Sequence, residues 1–386
     1  MAHAFEIEDR LFIKLKFAGK EFPFLRVNSI NFIHMSASSK TGIPMFHLSL
    51  NDPTGYFEKE KILGDGIPVE ISVAPKPDSP IVHTHEFRIN SVNKKHTAPN
   101  TVYDIDGYLN KPKYWHNTTN MWTEGLASDV LSDICDACDL EYDGVDTADF
   151  QVWWPGNRRY FNWAWHVARR AYMSEEACLQ LGLDFDGKLK LKDVTKLDTV
   201  NYKMTFMEPR PGFILATDLH PVTSSGSPNH LSGYQDARVY QLLMKNVAEF
   251  NVYDNAIKIN PTKGERSFVR NKVLQGETTF ARTQFGPLDF GAVHPMYERA
   301  IYQNARLDSL FGLTVAAVTP EATTVELFDN IEVTINYPED PLQPRYSRHL
   351  SGIYKVVSKT IYLNGVNYYE RFTMSRRAYG EETAEN

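Results

Sequence analysis

The sequence predicts a mainly β protein in which two similar β-barrel domains are separated by an α+β insert. The segments Leu63–Ile71 and Leu327–Ile335 are identical at five of nine positions, and each pattern is typical of a turn followed by a strand. Each segment is followed by a similar predicted hairpin, at His85–Leu109 and Gly352–Met374. The chain also has 20 Tyr and 22 Phe in 386 residues, a composition that favours strands.

The first β-barrel domain is predicted at residues 1–111. Apolar residues alternate with polar ones from Leu11 to Phe17, which indicates a half-buried strand. A second strand at Met45–Leu50 leads into a turn at residues 51–55, and residues 74–80 form a proline-rich loop. The hairpin that begins at His85 completes the domain.

The insert is predicted at residues 112–200. We expect a helix that is capped by Thr123, has apolar residues at helical spacing, and ends near residues 143–144. A second helix should span Phe161–Tyr172. Alternating runs on both sides of Asp186-Gly187 predict a hairpin there, because Asp-Gly favours a tight turn between strands.

The remaining sequence divides into a mixed β region at 201–295, which joins the insert to the second barrel, the second β-barrel domain at 296–380, and a disordered tail at 381–386. Strands are predicted near Met204 and Phe206. Further elements are expected as follows: strands at 213–216, 252–259, 268–280, 313–318 and 325–328, a surface loop at 221–233, a helix at 295–310, and a hairpin at 364–365.

Charge and composition exclude several classes of protein. The net charge is −7, whereas wrapping nucleic acid or lying on anionic lipid requires a basic face. The sequence has no run of 18 apolar residues, which predicts no membrane-spanning helix, and its start does not resemble a signal peptide. With three cysteines and no disulfide framework, synthesis in a reducing cytoplasm is expected.

The motifs that could bind metal or perform redox chemistry have simpler interpretations. Cys135 and Cys138 form a CxxC motif, but they lie late in a predicted helix, where a thiolate is disfavoured, and a zinc site would need two more ligands. Cys178 is expected in the core. His83 and His85 share a strand face without a third ligand, so a structural or surface pair is expected. We predict no metal, no iron–sulfur cluster and no other cofactor.

No catalytic site is predicted. Adjacent acids such as Glu175-Glu176 and Glu381-Glu382 are typical of solvated segments. An aromatic cluster could stack sugars or bases, although a hydrophobic core or a subunit contact is the more common role. Its members are Trp153, Trp154, Tyr160, Phe161, Trp163 and Trp165, and Arg158, Arg159, Arg169 and Arg170 nearby could form a small basic patch.

Four segments, in this order, resemble the baseplate hub proteins of contractile-tailed phages, related to late-control protein D and to the base of the type VI secretion spike VgrG. None has the fixed spacing of a fingerprint, and the resemblance rests on their shared order along most of the chain. The segments are Leu48–Gly55 with Leu63–Gly66, Phe161–Trp165 with Asp186–Leu189, Tyr302–Arg306 with Val325–Asp329, and Leu350–Val356 with Arg376.

The resemblance implies a structural protein of the virion tail baseplate, assembled in the host cytoplasm, with no enzymatic activity. Each subunit of a homotrimer would supply two tail-tube-like barrels, so that three chains form a ring of six. Such a trimer could join a hexameric tail tube to a trimeric central spike, contact other baseplate proteins, and let DNA pass without specific binding. No spike segment is recognised, so the spike should be a separate chain.

Two further expectations follow from the implied ring. The residues that face its bore should be net acidic or neutral, because lysine and arginine would retain DNA. An isolated monomer should be poorly soluble, because its strand edges would be exposed. The alternatives are a distal tail or receptor- and glycan-binding tail-tip component of a phage, and, more remotely, a β-rich carbohydrate-active enzyme with two carboxyl groups in a cleft.

Overall fold

The computed structural model of this chain describes most of the first half and of the insert, and a smaller part of the second half, which follows the insert at residues 201–386. The described residues are 11–22, 29–97, 100–174, 177–197, 200–207, 313–337, 351–364 and 367–376, together with the strand residues 220–221, 229–230, 248–251, 256–259 and 345–346. Within these ranges, every helix is too short or too polar to cross a lipid bilayer.

The described residues of the first half, which precedes the insert, form seven strands and one short helix. Apolar residues alternate along the strands, so that one face is buried; in β1, for example, Leu15 and Phe17 are fully buried. The elements are β1 Phe12–Phe17, β2 Lys20–Glu21, β3 Ile30–Ser38, β4 Met45–Asp52, α1 Tyr56–Glu60, β5 Pro68–Ala74, β6 His83–Thr97 and β7 Asn100–Leu109.

The insert packs two main helices against a small sheet. Its elements are α2 Pro112–His116, β8 Thr118–Thr119, β9 Thr123–Gly125, α3 Ala127–Cys138, β10 Glu141–Gly144, β11 Gln151–Trp153, β12 Arg158–Arg159, α4 Tyr160–Ala168, β13 Leu179–Leu183 and β14 Lys188–Asp193. The predicted hairpin is confirmed as β13 and β14, and β10 lies parallel to β14.

The second half contributes the remaining strands. They are β15 Tyr202–Met207, β16 His220–Pro221, β17 Asn229–His230, β18 Ala248–Asn251, β19 Ala256–Ile259, β20 Leu313–Thr319, β21 Asn330–Tyr337, β22 Arg345–Tyr346, β23 Gly352–Asn364 and β24 Asn367–Arg376.

A single sheet runs through both halves. Among the described strands it has 15 members and follows the order β16-β15-β21-β23-β3-β4-β7-β6-β5-β1-β2, with β24, β20 and β17 branching from β23 and β22 pairing with β21. The halves meet where β23 pairs antiparallel with β3, with Ser358 opposite Ser38 and Asn364 opposite Phe32. The predicted mainly β class with a helix-and-hairpin insert is confirmed, but in the described part the sheet does not close into a barrel.

The two halves contain the same arrangement of four strands. In the first half the order is β5-β6-β7-β4, and in the second it is β21-β23-β24-β20, with every neighbouring pair antiparallel. Both hairpins contain a bulge at the same place, after Ile89 in β6 and after Val356 in β23. Because both hairpins close at matching positions, Thr97 opposite Asn100 and Asn364 opposite Asn367, their registers are equivalent.

The sequence repeat is displaced by two residues from this structural equivalence. Sequence identity aligns Ile67 with Ile331, but the strand pairing aligns Val69 with Ile331, since their partners Phe87 and Tyr354 are equivalent in the two hairpins. A shift of two residues leaves the same side chains facing the core, because side chains alternate with period two along a strand. The repeated residues therefore identify the equivalent strands and their buried faces, but not the register in which β5 and β21 pair with their hairpins.

Several predictions of secondary structure are wrong. Thr123 does not cap a helix, because it pairs with Trp153 in the β9–β11 ribbon, and α3 begins at Ala127. The helix ends at Cys138 rather than near residues 143–144, because Asp139 adopts the left-handed conformation. Residues 325–328 are not a strand; they form a turn-containing segment between β20 and β21.

Other predictions fall on residues outside the described ranges. These are the strands at 213–216 and 268–280, most of the surface loop at 221–233, the helix at 295–310 and the tail at 381–386. Two described residues of that predicted loop, Asn229 and His230, form the strand β17 instead. The domain boundaries placed at 111, 200, 295 and 380 stay predictions.

Candidate functional site

The cysteines have the properties of core residues. Cys135 and Cys138 are buried in the last turn of α3. Burial, reinforced by neighbouring acidic groups, raises the pKa of each thiol to about 12, so neither forms a thiolate near neutral pH. Cys178 is buried beside Val194 and Leu327. Within the described residues no group of three or more His, Cys, Asp or Glu side chains could hold a metal ion.

His83 and His85 lie at a junction between the two halves and the insert. Both project from the same face of β6, and their rings stack with centroids 6.0 Å apart. His83 Nε2 lies 2.6 Å from Glu370 Oε1 in β24 of the second half. The His85 ring stacks on Phe185 of the insert hairpin at 4.8 Å. The expected structural pair is therefore at a buried contact rather than on the surface.

Glu370 is the centre of this junction. Its side chain is fully buried, and its carboxylate accepts hydrogen bonds from the Tyr368 hydroxyl at 2.6 Å and from the Thr323 backbone N–H and hydroxyl at 3.0 and 2.7 Å. Lys359 Nζ lies 3.4 Å away and donates to the Thr323 carbonyl at 3.0 Å. A buried carboxylate needs such partners, since a charge removed from water is otherwise strongly destabilising.

The electrostatics of the junction favour a fixed charge at Glu370. Burial alone would raise the pKa of its carboxyl group, but the hydrogen bond from His83 and the charge of Lys359 outweigh burial and lower that pKa below its ordinary value. Burial lowers the pKa of Lys359 and, together with repulsion from His83 and Lys359, lowers the pKa of His85 to about 3. A carboxylate that is ionised and saturated with donors is poorly suited to general acid catalysis.

A second ionic contact joins the insert to the second half. Lys190 in β14 is buried and forms ion pairs with Asp184 at 3.2 Å and with Glu326. The Asp184 carboxylate also accepts the backbone N–H groups of Asp186 and Lys188, which shapes the hairpin turn. A cavity of about 290 Å³ lies between these two ionic clusters, where the insert and both halves meet. This arrangement can hold three parts of the chain together.

Five of the seven exposed large apolar side chains of the described residues lie on the insert, in or beside strands β9 and β11, and we call this set the apolar ribbon. The pairing of β9 with β11 places Val152 opposite Glu124 and Trp153 opposite Thr123. Trp153 points inward, where its Nε1 donates to the Gly125 carbonyl at 3.0 Å, so residues on either side of it point outward. The ribbon consists of Met121, Trp122, Phe150, Val152 and Trp154, which are 83, 65, 63, 60 and 68% exposed.

The structure divides the predicted aromatic cluster into separate environments. Trp153 and Trp163 are buried and meet edge to face at 6.4 Å, which fits the core interpretation. Trp154 alone joins the apolar ribbon. Tyr160, Phe161 and Trp165 are partly buried against the core, and Arg169 lies over the Trp165 ring at 5.9 Å.

Sequence reasoning missed Met121, Trp122, Phe150 and Val152 as surface residues. A clue was available, because the even-numbered residues from Phe150 to Trp154 share one strand face in a segment with few other apolar residues. Large exposed apolar patches are typical of sites that contact another molecule.

Comparisons with known proteins identify the fold. No protein-family model matches the sequence, and no curated protein matches it. A tail protein from Neisseria meningitidis MC58 aligns with a TM-score of 0.52 and 10% identity, covering 95% of this chain and 96% of that chain. The 43 kDa tail protein of prophage MuSo2 from Shewanella oneidensis aligns with a TM-score of 0.53 and 10% identity, covering 96% and 97%.

A component of the type VI secretion system from Escherichia coli, c3393, aligns with a TM-score of 0.45 and 9% identity, covering 95% of this chain and 77% of that chain. The first two alignments extend over nearly the whole of each chain. This chain therefore has the fold of known tail proteins, one of them encoded by a prophage.

Proposed function

We propose that this protein is a structural baseplate hub of a phage tail, a trimeric adapter between a hexameric tail tube and a trimeric central spike. The observation that carries the proposal is the repeated arrangement β5-β6-β7-β4 and β21-β23-β24-β20, joined in one sheet. One chain supplies two equivalent units, so three chains supply six. The similarity in fold to two tail proteins supports the same role.

The geometric reason for such an adapter is symmetry. A ring of three duplicated chains presents approximate sixfold symmetry where its repeated units lie and threefold symmetry where the insert lies. The first kind of surface fits a hexameric tube protein, and the second fits a trimeric spike. The other baseplate proteins are further partners, and the protein is located in the virion tail after assembly in the host cytoplasm.

The native mass of the purified protein tests this proposal. Three chains of 44.2 kDa give about 133 kDa, which light scattering after size exclusion measures directly. We expect that mass, and images averaged without imposed symmetry should contain a threefold ring with six similar inner units. A stable monomer or dimer, or a ring of another symmetry, would contradict the adapter role.

The charge of the chain supports passage of DNA through the ring without binding. The net charge of −7 per chain amounts to −21 for three chains. We expect no retention of double-stranded DNA by the assembled protein at low salt, where binding to phosphates is strongest. A positively charged bore in the trimer, or salt-dependent DNA binding, would contradict this part of the proposal.

A second candidate function is binding of host glycans at the tail tip, and the apolar ribbon favours it, because exposed Trp122 and Trp154 could stack on sugar rings. A glycan array separates the two functions. The hub proposal predicts no saturable binding. Binding that the double substitution Trp122→Ser/Trp154→Ser abolishes, with an unchanged oligomeric mass, would support the tail-tip function instead.

A further inference from the structure

The two equivalent long strands β6 and β23 differ in how their outer edges are covered. Residues Gly352–Lys355 of β23 pair with β21, and Ser358–Asn364 pair with β3. In β6, His83–Arg88 pair with β5 in the same way. The following residues, Ser91–Thr97, pair with β7 on one side, but within the described residues no strand lies on their other side.

The strand that covers β23 also has a counterpart in the second half. In the first half β3 lies beside β4, with Ser36 opposite Met45. In the second half β17 lies beside β20, with Asn229 opposite Thr314. Met45 and Thr314 are equivalent, because their partners Tyr108 and Ser375 occupy matching places in the two hairpins. The two residues of β17 therefore occupy the place of Ser36 and Ala37 in β3.

We infer that the edge Ser91–Thr97 of one copy pairs with β17, Asn229–His230, of a second copy of this chain. The inference rests on the proposed trimeric ring and specifies its interface. Inside one chain, Thr360 of β23 lies opposite Ser36 of β3, and Lys359 lies opposite Ala37. The same antiparallel register between copies places Asn229 opposite Asn93 and His230 opposite Val92.

The partner of this edge is a second copy of the chain, because each half contributes a strand to the half that follows it. In each chain the first half offers β3 and the second half receives it on β23. The second half then offers β17, and the matching edge that no described strand covers is that of a first half. Along the described sheet, β17 and β6 are separated by β20, β24, β23, β3, β4 and β7. If the second half pairs with a further half in the same way as the first half pairs with the second, that further half belongs to the next chain.

The polar composition of this edge is compatible with pairing. Lysine on an edge strand is a common device that prevents unwanted association. Here Lys94 forms an ion pair with Glu58, and Lys95 forms one with Asp104 at 2.7 Å, so acidic groups of the same chain balance both charges. The backbone N–H and C=O groups along the edge can then pair as those of Ser358–Asn364 do.

Disulfide cross-linking between copies tests the register. Two variants with one added cysteine each, Asn93→Cys and Asn229→Cys, are assembled together and oxidised, and the products are separated without reductant. The Cα atoms of opposite residues in antiparallel strands lie about 4.5–5.5 Å apart, a distance that a disulfide can span. We expect a covalent dimer only when both variants are present. The native cysteines Cys135, Cys138 and Cys178 are buried and should not compete.

The matched control replaces Asn93→Cys with Lys95→Cys, which is also exposed and lies on the same edge. It is displaced by two residues, or about 7 Å along the strand, so it should not form a disulfide with position 229. A covalent dimer from this control pair and not from the first pair would overturn the proposed register.

The remaining outcomes separate this inference from the proposed function. A mass of three chains without cross-linking in either pair would overturn the interface and leave the trimeric adapter intact. A monomeric mass would overturn both. A disulfide that forms only within one chain of the double variant Asn93→Cys/Asn229→Cys would indicate that the sheet closes on itself, and it would overturn pairing between copies.

Discussion

Glu370 occupies a position at which the two halves, although they have the same arrangement of four strands, differ in chemistry. Its counterpart in the first half is Tyr103, since their partners Leu50 and Thr319 are equivalent. Tyr103 is buried among apolar and aromatic side chains, whereas Glu370 is buried among hydrogen-bond donors. The second half therefore has a buried carboxylate where the first half has the aromatic ring of a tyrosine, and this carboxylate contacts His83 of the first half.

Glu370→Gln should destabilise the protein strongly. The substitution keeps the shape but removes the charge that His83 and Lys359 face, and breaking a buried ionic cluster costs about 3–5 kcal/mol. Urea unfolding measures the effect as a lower midpoint. Glu86→Gln is the control, because Glu86 is exposed on the same sheet. Equal midpoints for the two variants would contradict the role assigned to Glu370.

His85 should make the protein less stable as the pH falls. Burial keeps its folded-state pKa at about 3, below its ordinary value of 6.5, so the unfolded chain binds a proton first. Stability should decrease as the pH falls from about 6.5 towards 3, by at most about 1.4 kcal/mol per pH unit from this residue. Unfolding free energies at several pH values measure this slope.

His85→Phe should reduce that slope, because phenylalanine can stack on Phe185 but does not titrate. The unsubstituted protein, measured over the same pH range, provides the control. His166, with a pKa lowered to about 4 by burial and three nearby arginines, adds a smaller dependence in every variant. A slope that His85→Phe does not alter would show that His85 is protonated in the folded state.

For single residues, the sequence predicted whether a side chain is buried better than it predicted which side chains it contacts. The inert character of Cys135 and Cys138 followed from their position in a helix. The contact between His83 and Glu370 could not be predicted, because 287 positions separate them and neither lies in a local motif. Only the paired strands of the two halves bring them together.

The bulge in β6 depends on a glycine in the neighbouring strand. Gly107 lies opposite Ile89, where the register shifts, and a Cβ atom there would lie 2.0 Å from the Arg88 carbonyl oxygen and 2.4 Å from the Phe46 ring. The equivalent residue in β24 is Met374, so the halves achieve the same bulge with different packing. Bulges bend a strand and increase its twist.

Gly107→Ala should therefore destabilise the first half, by about 1–3 kcal/mol, because the nearest obstacle is backbone and cannot rotate away. Thermal unfolding measures the change. Gly64→Ala is the matched control, since the nearest atom to its new Cβ would be 3.7 Å away, an ordinary contact. If both variants unfold at the same temperature, the bulge tolerates a side chain.

Elements with a strong local period were predictable. The hairpin of β13 and β14 follows from alternation, and the helix α4 follows from helical spacing, although α4 ends at Ala168 and not at Tyr172 as predicted. Thr123 was assigned to a helix because threonine is a common cap, but pairing with Trp153 outweighed that preference. Residues 325–328 alternate like a strand, yet their apolar side chains pack against the insert hairpin, where Leu327 lies close to Gly182.

For the whole molecule, thermal stability should depend on protein concentration. If folded chains associate as proposed, mass action stabilises the assembly, and the melting temperature should rise over about a hundredfold range of concentration. Differential scanning fluorimetry together with light scattering measures both quantities on one sample. A melting temperature that is independent of concentration, with a monomeric mass throughout, would contradict the assembly.

The architecture was predictable in outline and not in detail. The repeated nine-residue segment indicated duplication, because a strand and its turn leave a recognisable pattern in sequence. Sequence could not show that both halves share one sheet, since this depends on β3 choosing β23 as its neighbour. It also could not show the apolar ribbon as a surface, because burial is decided by the rest of the insert.

The pairing of β3 with β23 has a consequence for synthesis of the protein. Ala37 and Ser358, which are hydrogen-bonded across this pair, are 321 positions apart. At about 5–20 residues per second, a ribosome needs on the order of tens of seconds between making the two strands. During that interval the nascent chain presents a bare strand to its neighbours on the polysome, so a chaperone that shields it should increase the yield of native protein.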